Sequence, residues 1–230
     1  MGEHSAKRTA GEAAARLVEG GQYLGLGTGS TTAFTICAIG HRIRQEGLHV
    51  SGVPTSAAAA RLARECGVPL VTLDEVETLD IAFDGADEVS PTLDLIKGRG
   101  AAHTREKIVA SLARRFVVLV DESKMVQVLG TRSPVPVEVL PMATAPVMRA
   151  LETLGANPEL RMGVHKDGPV VSDQGFWIVD AYFDGIRDPA AMDRQLQQIP
   201  GVLDHGLFVG LTTSVLIGLP SGKVRRLTAT

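Results

Sequence analysis

Five short apolar runs, QYLGLG, LHVSGV, VPLVTL, LDIAFDG and RFVVLVDE, set the first constraint on this chain. Each is short for a helix and mostly apolar, as expected of strands covered on both faces. Helical patterning fills STTAFTICAIGHRI, TSAAAARLARECG and residues 102–114, which lie between them. Strands joined by helices need right-handed crossovers, and these produce a mostly parallel sheet. The first half therefore predicts an open α/β sheet. A helix is expected before it, because Ala6, Ala10, Ala13, Ala14, Leu17 and Val18 share one helical face.

The pattern changes near Gly130. SPVPVEVLP places three prolines around an extended run, and a helix follows at 143–154. LRMGV, a turn at KDGP, VVSDQGFWIVDAYF, a helix from Pro189 to about Gln198 and GVLDHGLF complete the segment. Two helices among hairpin-like strands predict a small α+β domain with an antiparallel sheet. The expected division is a larger domain of residues 1–129 and 206–230 with residues 130–205 inserted as the smaller one. TSVLIGLPSGKVRRL reads as strand, turn and strand, returning to the first sheet.

Composition excludes several classes. With 44% apolar and 21% charged residues the 230-residue chain is an ordinary globular protein. A net charge of −3 and the lack of a Lys/Arg stripe speak against nucleic acid. There is no signal-peptide pattern and no run of about 18 apolar residues, so a cytoplasmic location without membrane contact is expected. Cys37 and Cys66 are too few for a disulfide framework and lack metal-ligand spacing, so both read as reduced core or near-core thiols.

GLGTGSTTAF leaves a strand and enters a helix. Gly25, Gly27 and Gly29 allow a tight turn, while Thr28, Ser30, Thr31 and Thr32 add hydroxyls beside helix N–H groups. Neither the dinucleotide G-x-G-x-x-G nor the lysine-bearing P-loop pattern is met. A plain strand-to-helix turn stays open as a reading, but the surplus of hydroxyls favours a phosphomonoester such as a sugar phosphate.

The next feature is DGADEVSPTLDLIKGRGAAHTREK, residues 84–107, which follows an apolar run. Asp84, Asp87 and Glu88 could be solvated loop acids or an Mg²⁺ site. Lys97 alone reads as a surface lysine, and Glu106 alone as a favourable first-turn acid. Asp84, Asp87, Lys97 and Glu106 together meet the demands of an aldose–ketose isomerisation, which needs a base, one or two acids and a cation, without metal or redox cofactor.

At this point GLGTGST, DGADE, IKGRGAA with TREKI, VDESK, PVPVEVLP, SDQG, IPGV and GLF, taken in order, resemble the type A ribose-5-phosphate isomerases over nearly the whole chain. The resemblance implies a Rossmann-like sheet with an inserted ferredoxin-like α+β domain, and assembly as homodimers or homotetramers. It implies an enediolate route between D-ribose 5-phosphate and D-ribulose 5-phosphate, in the non-oxidative branch of the pentose phosphate pathway, with no cofactor and no metal. Thr28, Gly29, Ser30 and Thr31 match the phosphate-side loop. Asp84, Gly85, Ala86 and Asp87 match the acidic substrate loop, where a carboxylate assists ring opening. Lys97 matches the lysine near the reacting oxygens, followed by the substrate-side Gly98, Arg99 and Gly100. Glu106 matches the general base, and Lys124 a further substrate-binding lysine.

Two positions depart from the family pattern. Arg99 stands where a glycine is usual, at a cost of roughly 1–2 kcal/mol if that position is left-handed. A solvent-facing arginine is the preferred reading, an extra substrate cation the alternative. His103 stands where the family is usually apolar, three residues before the expected base. An amino-sugar phosphate deaminase, an acyl-CoA transferase and a non-enzymatic sugar-phosphate sensor remain the competing functions.

Overall fold

The computed structural model describes residues 2–229. From the N-terminus the chain forms α1 (Gly2–Ala15), β1 (Tyr23–Leu26), α2 (Ser30–Glu46), β2 (Ser51–Pro54), α3 (Ala57–Cys66) and β3 (Ile81–Asp84). Two short strands, β4 (Glu88–Val89) and β5 (Leu95–Ile96), precede α4 (His103–Leu112) and β6 (Phe116–Asp121). A 3-10 turn at Glu122–Lys124 leads to β7 (Val135–Val139), and another at Pro141–Ala143 opens α5 (Thr144–Thr153). The remaining elements are β8 (Asn157–Leu160), β9 (Trp177–Tyr182), α6 (Pro189–Gln197), β10 (Val202–His205), β11 (Leu207–Phe208), β12 (Ser214–Gly218) and β13 (Val224–Thr228).

The chain divides into two compact units. The first comprises the chain up to Ala86, Arg105–Lys124 and the chain from Leu211. Its sheet has the order β13-β12-β6-β3-β1-β2, parallel throughout except for the β12–β13 hairpin at one edge. The fully buried runs FVVLVD and SVLIG supply β6 and β12, as a sheet covered on both faces requires. From β1 the chain steps outward to β2, then returns to the other side of β1 for β3. That reversal is a topological switch point, where the carboxyl ends of strands in open α/β sheets form ligand sites.

The second unit comprises Asp87–Thr104 and Met125–Gly210. Its β7-α5-β8-β9-α6-β10 sequence folds into an antiparallel sheet of order β10-β7-β9-β8, the split βαβ arrangement of ferredoxin-like domains. Val135, Val137, Val139 and Val179 form its core with Val147 and Leu151 of α5 and Leu196 of α6. A three-stranded sheet of order β11-β5-β4 completes the unit. Because β4 and β5 pair there, residues 87–104 group with the second unit, whereas the sequence division placed them in the larger domain.

Two expectations need correction. VPLVTL forms no strand; it flanks β2 through Gly52 alone, which donates to Pro69 O and accepts from Val71 N, and Pro69 has no N–H with which to extend the ladder. The cysteines are not separate thiols: Cys37 of α2 and Cys66 of α3 form a disulfide with a Cα–Cα distance of 5.1 Å. Gly40 allows that approach, since a Cβ there would lie 2.9 Å from the Cys66 carbonyl carbon. Among the described residues no helix is long and apolar enough to cross a membrane.

Overpacking this helix contact gives a first prediction. Gly40→Ala should destabilise the protein by about 1–3 kcal/mol, read as a lower urea midpoint at unchanged slope.

Candidate active site

In the first unit the candidate residues gather at the carboxyl ends of β1, β3 and β6, which are adjacent in the sheet. Gly27 follows β1 with no room for a side chain: a Cβ would come 2.5 Å from Asp84 Oδ1. That approach lets Asp84 Oδ1 accept from Thr28 N at 3.2 Å and from Gly85 N at 2.7 Å. Asp84 is 2% exposed, so the carboxylate is a fixed wall of the loop rather than a solvated acid.

Thr28 itself is turned inward. Its Oγ1 lies 2.9 Å from Thr55 Oγ1 and donates to Ser56 Oγ at 2.7 Å, and Ser56 Oγ also accepts from Ala59 N to cap α3. Gly29 then caps α2 at φ 128°, a conformation that favours glycine, and supplies no side chain to bond the first-turn N–H groups. Those donors and the positive end of a 17-residue helix suit an anion. Ser30 is exposed and Thr31 buried, while the Thr32 hydroxyl donates to Gly29 O at 3.0 Å. Thr55 and Ser56 were not singled out from the sequence; the Ser-Ala-Ala-Ala start of α3 was the available signal.

Helix α4 crosses over from β3 towards β6, so its N-terminal end lies at the carboxyl edge of the parallel strands. Val109 seats it on the sheet over Gly25, where a Cβ would come 2.5 Å from Val109 Cγ1. Glu106 lies in its first turn and is 5% exposed. Half-buried Lys124 ends the turn after β6, beside Asp121, whose Oδ1 accepts from Ser123 N at 2.9 Å.

In the second unit, Glu88 is fully buried and accepts from Gly130 N at 2.7 Å and from Arg132 N and Ser133 N at 2.6 Å. Three backbone donors occupy this carboxylate, which organises the 130–133 turn. Asp87 Oδ2 accepts from Arg99 N at 3.1 Å, and Arg161 Nη1 donates to the carbonyls of Gly98 and Arg99. Lys97, 3% exposed, sits with Nζ 5.4 Å over the Phe208 ring, a cation–π geometry, and its N–H donates to Gly206 O at 2.8 Å.

The glycine question resolves at Gly98. It has φ 102°, and a Cβ would meet His103 Nδ1 at 2.7 Å. Arg99 is not among the positive-φ residues; Ala101, at φ 57°, is the non-glycine that bears this conformation in the loop. His103 is fully buried against Gly98, and Thr104 after it donates its hydroxyl to Glu138, as does Ser172. Exposed Arg99 and Gly100 line a cleft of about 660 Å³ with Asp87, Arg132, Arg161 and Tyr182. Arg161, Asp180 and Glu138 had no sequence signal, because they reach this loop from distant strands.

The family model of ribose 5-phosphate isomerase A (phosphoriboisomerase A) matches residues 51–222, a span holding Asp84, Asp87, Lys97, Glu106 and Lys124. The chain belongs to this family. Ribose-5-phosphate isomerase A of Thermosynechococcus vestitus is 59% identical over 92% of this chain and 90% of its own length. The solved ribose 5-phosphate isomerase A of Methanocaldococcus jannaschii is 47% identical, with a TM-score of 0.93 over 97% of this chain and 98% of its own. A D-ribose-5-phosphate isomerase solved with phospho-erythronic acid is 45% identical, with a TM-score of 0.97 over 99% and 100%.

Two outcomes are expected. Arg99→Gly should leave turnover within severalfold, since no backbone penalty is relieved; collapse of activity would give Arg99 a role in substrate binding. Glu88→Ala should lower stability by about 3 kcal/mol or more in urea unfolding, because three N–H groups lose a charged acceptor.

Proposed function

We infer that the protein interconverts D-ribose 5-phosphate and D-ribulose 5-phosphate through an enediolate. The observation that carries this reading is the burial of Lys97 and Glu106, at 3% and 5% exposure, on either side of a glycine-containing loop in a chain of this family. Charged side chains are rarely so buried without a function or a partner.

The substrate phosphate binds at Gly29, Ser30 and Thr31, where the α2 N-terminus offers donors; Thr28 shapes the loop through its hydroxyl bonds. Opening the furanose takes one proton from the anomeric hydroxyl and delivers one to the ring oxygen. Asp84 assists that exchange, and Asp87 orders the loop that follows Lys97. The Glu106 carboxylate then removes the C2 proton, and the electron pair moves into the C1–C2 bond as the C1 carbonyl becomes an enediolate oxygen. Lys97 stabilises the developing charge, most strongly where water is excluded. Passage of the O2 hydroxyl proton to O1, with return of the proton from Glu106 to C1, completes the ketose. Gly85, Ala86, Gly98, Arg99 and Gly100 contribute backbone around the sugar, and Lys124 binds it further.

The complex of the 45% identical isomerase with phospho-erythronic acid supports the route. That ligand pairs a phosphate with a flat, anionic carboxylate, much as an enediolate phosphate would. We also propose a cytoplasmic homodimer or homotetramer. Met142 and Val164, 85% and 90% exposed, are apolar side chains that a subunit contact would cover, and light scattering tests the assembly.

Glu106→Gln should lower kcat by ~10²–10⁴-fold while sugar-phosphate binding persists. Turnover by the wild type should be indifferent to EDTA. Unaltered turnover in the variant would remove Glu106 as the base.

A further inference from the structure

The loop after Lys97 is held from outside by a residue that sequence reasoning passed over. Arg161 follows β8 directly, and its own N–H is fixed by Ile178 O at 2.9 Å. Its Nη1 donates to Gly98 O at 3.1 Å and to Arg99 O at 2.9 Å. Nε donates to Asp180 Oδ2 at 2.8 Å, and Nη2 to Asp180 Oδ1. Both side chains are largely buried, at 16% and 14% exposure.

The geometry has a specific physical content. Two successive carbonyls converging on one nitrogen repel each other unless a cation lies between them. Gly98 gives this stretch little rigidity of its own, because glycine samples φ values on both sides of zero at small cost. A guanidinium bound edge-on by a carboxylate has a fixed plane, so its remaining N–H groups point in set directions. Lysine could supply the charge without that plane.

We propose that Arg161, oriented by Asp180, is a positioning residue that sets the backbone of residues 98 and 99 and thereby the placement of the Lys97 ammonium. The proposal rests on the reading that Lys97 stabilises the reacting oxygens. Lys97 is then anchored on both sides along the chain: Gly206 O takes its N–H, Arg161 takes the next two carbonyls, and Asp87 takes the N–H of Arg99. Displacement of a catalytic group by about 1 Å can cost on the order of 10²-fold in rate. The charge of Lys97 matters most in the transition state, so the loss belongs in kcat rather than KM.

The experiment compares Arg161→Gln, Arg161→Lys, Asp180→Asn and Lys97→Met in steady-state kinetics on ribose 5-phosphate, well below each unfolding midpoint. Arg161→Gln and Asp180→Asn should lower kcat about 10- to 100-fold with KM little changed, with Arg161→Lys in between. Guanidinium ion added to Arg161→Ala should raise kcat severalfold, and it should not restore Lys97→Met. Lowered unfolding midpoints with wild-type kcat in Arg161→Gln and Asp180→Asn would make the pair merely structural and overturn the proposal, while inactive Lys97→Met would leave the reading of the lysine standing. Full turnover by Lys97→Met would instead remove that reading, and the proposal with it. If Arg161→Gln does not fold, the near-isosteric Asp180→Asn carries the same test.

Discussion

The carboxylate of Asp84 and the backbone of Gly27 lie so close that a methyl group at residue 27 would share their space. That contact joins the ends of β1 and β3 at the point where the strand order reverses. It aligns the N–H groups of Thr28 and Gly85 on one oxygen, and so fixes the entry of α2 and the exit of β3 together. The first turn of α2 is in place because Asp84 holds the residues just before it. Thr55 and Ser56 extend the same hydrogen-bonded frame to α3.

The second unit applies a related principle with different groups. Buried Glu88 and Glu138 and half-buried Asp87 each accept hydrogen bonds from protein groups. Buried carboxylates are tolerated when donors surround them, and each then defines the path of the chain that supplies the donors. Glu88 shapes 130–133, Asp87 and Arg161 shape 98–99, and Glu138 gathers Thr104 and Ser172. An acid-rich sequence near a strand end thus organises loops as well as supplying candidates for proton transfer.

The parallel order of the sheet was legible because β-branched runs such as FVVLVD are both strand-forming and buried on two faces. The α+β character of residues 135–205 was legible from its turns and helices. VPLVTL misled because apolar content sets burial, whereas strand pairing also needs N–H groups that a proline lacks. The cysteines misled because their proximity depends on a helix crossing at Gly40, and sequence separation carries no trace of it. Asp84, Lys97 and Glu106 became candidates because a motif contains them. Glu88 stands in the same acidic run, and its three backbone partners become visible only once residue 130 folds back towards it.

By itself the sequence determined the period of each element, the glycines that make room at residues 27 and 98, and the residue types able to transfer a proton. These are local properties, fixed by sterics and side-chain chemistry within a few residues. Tertiary structure decided which acids stay available for chemistry, that Arg99 takes an ordinary backbone conformation while Ala101 bears the left-handed one, and that Arg161 reaches the loop beyond Lys97. Those outcomes depend on groups that are far apart in the chain and meet through strand order and loop closure, which residue identity alone does not encode.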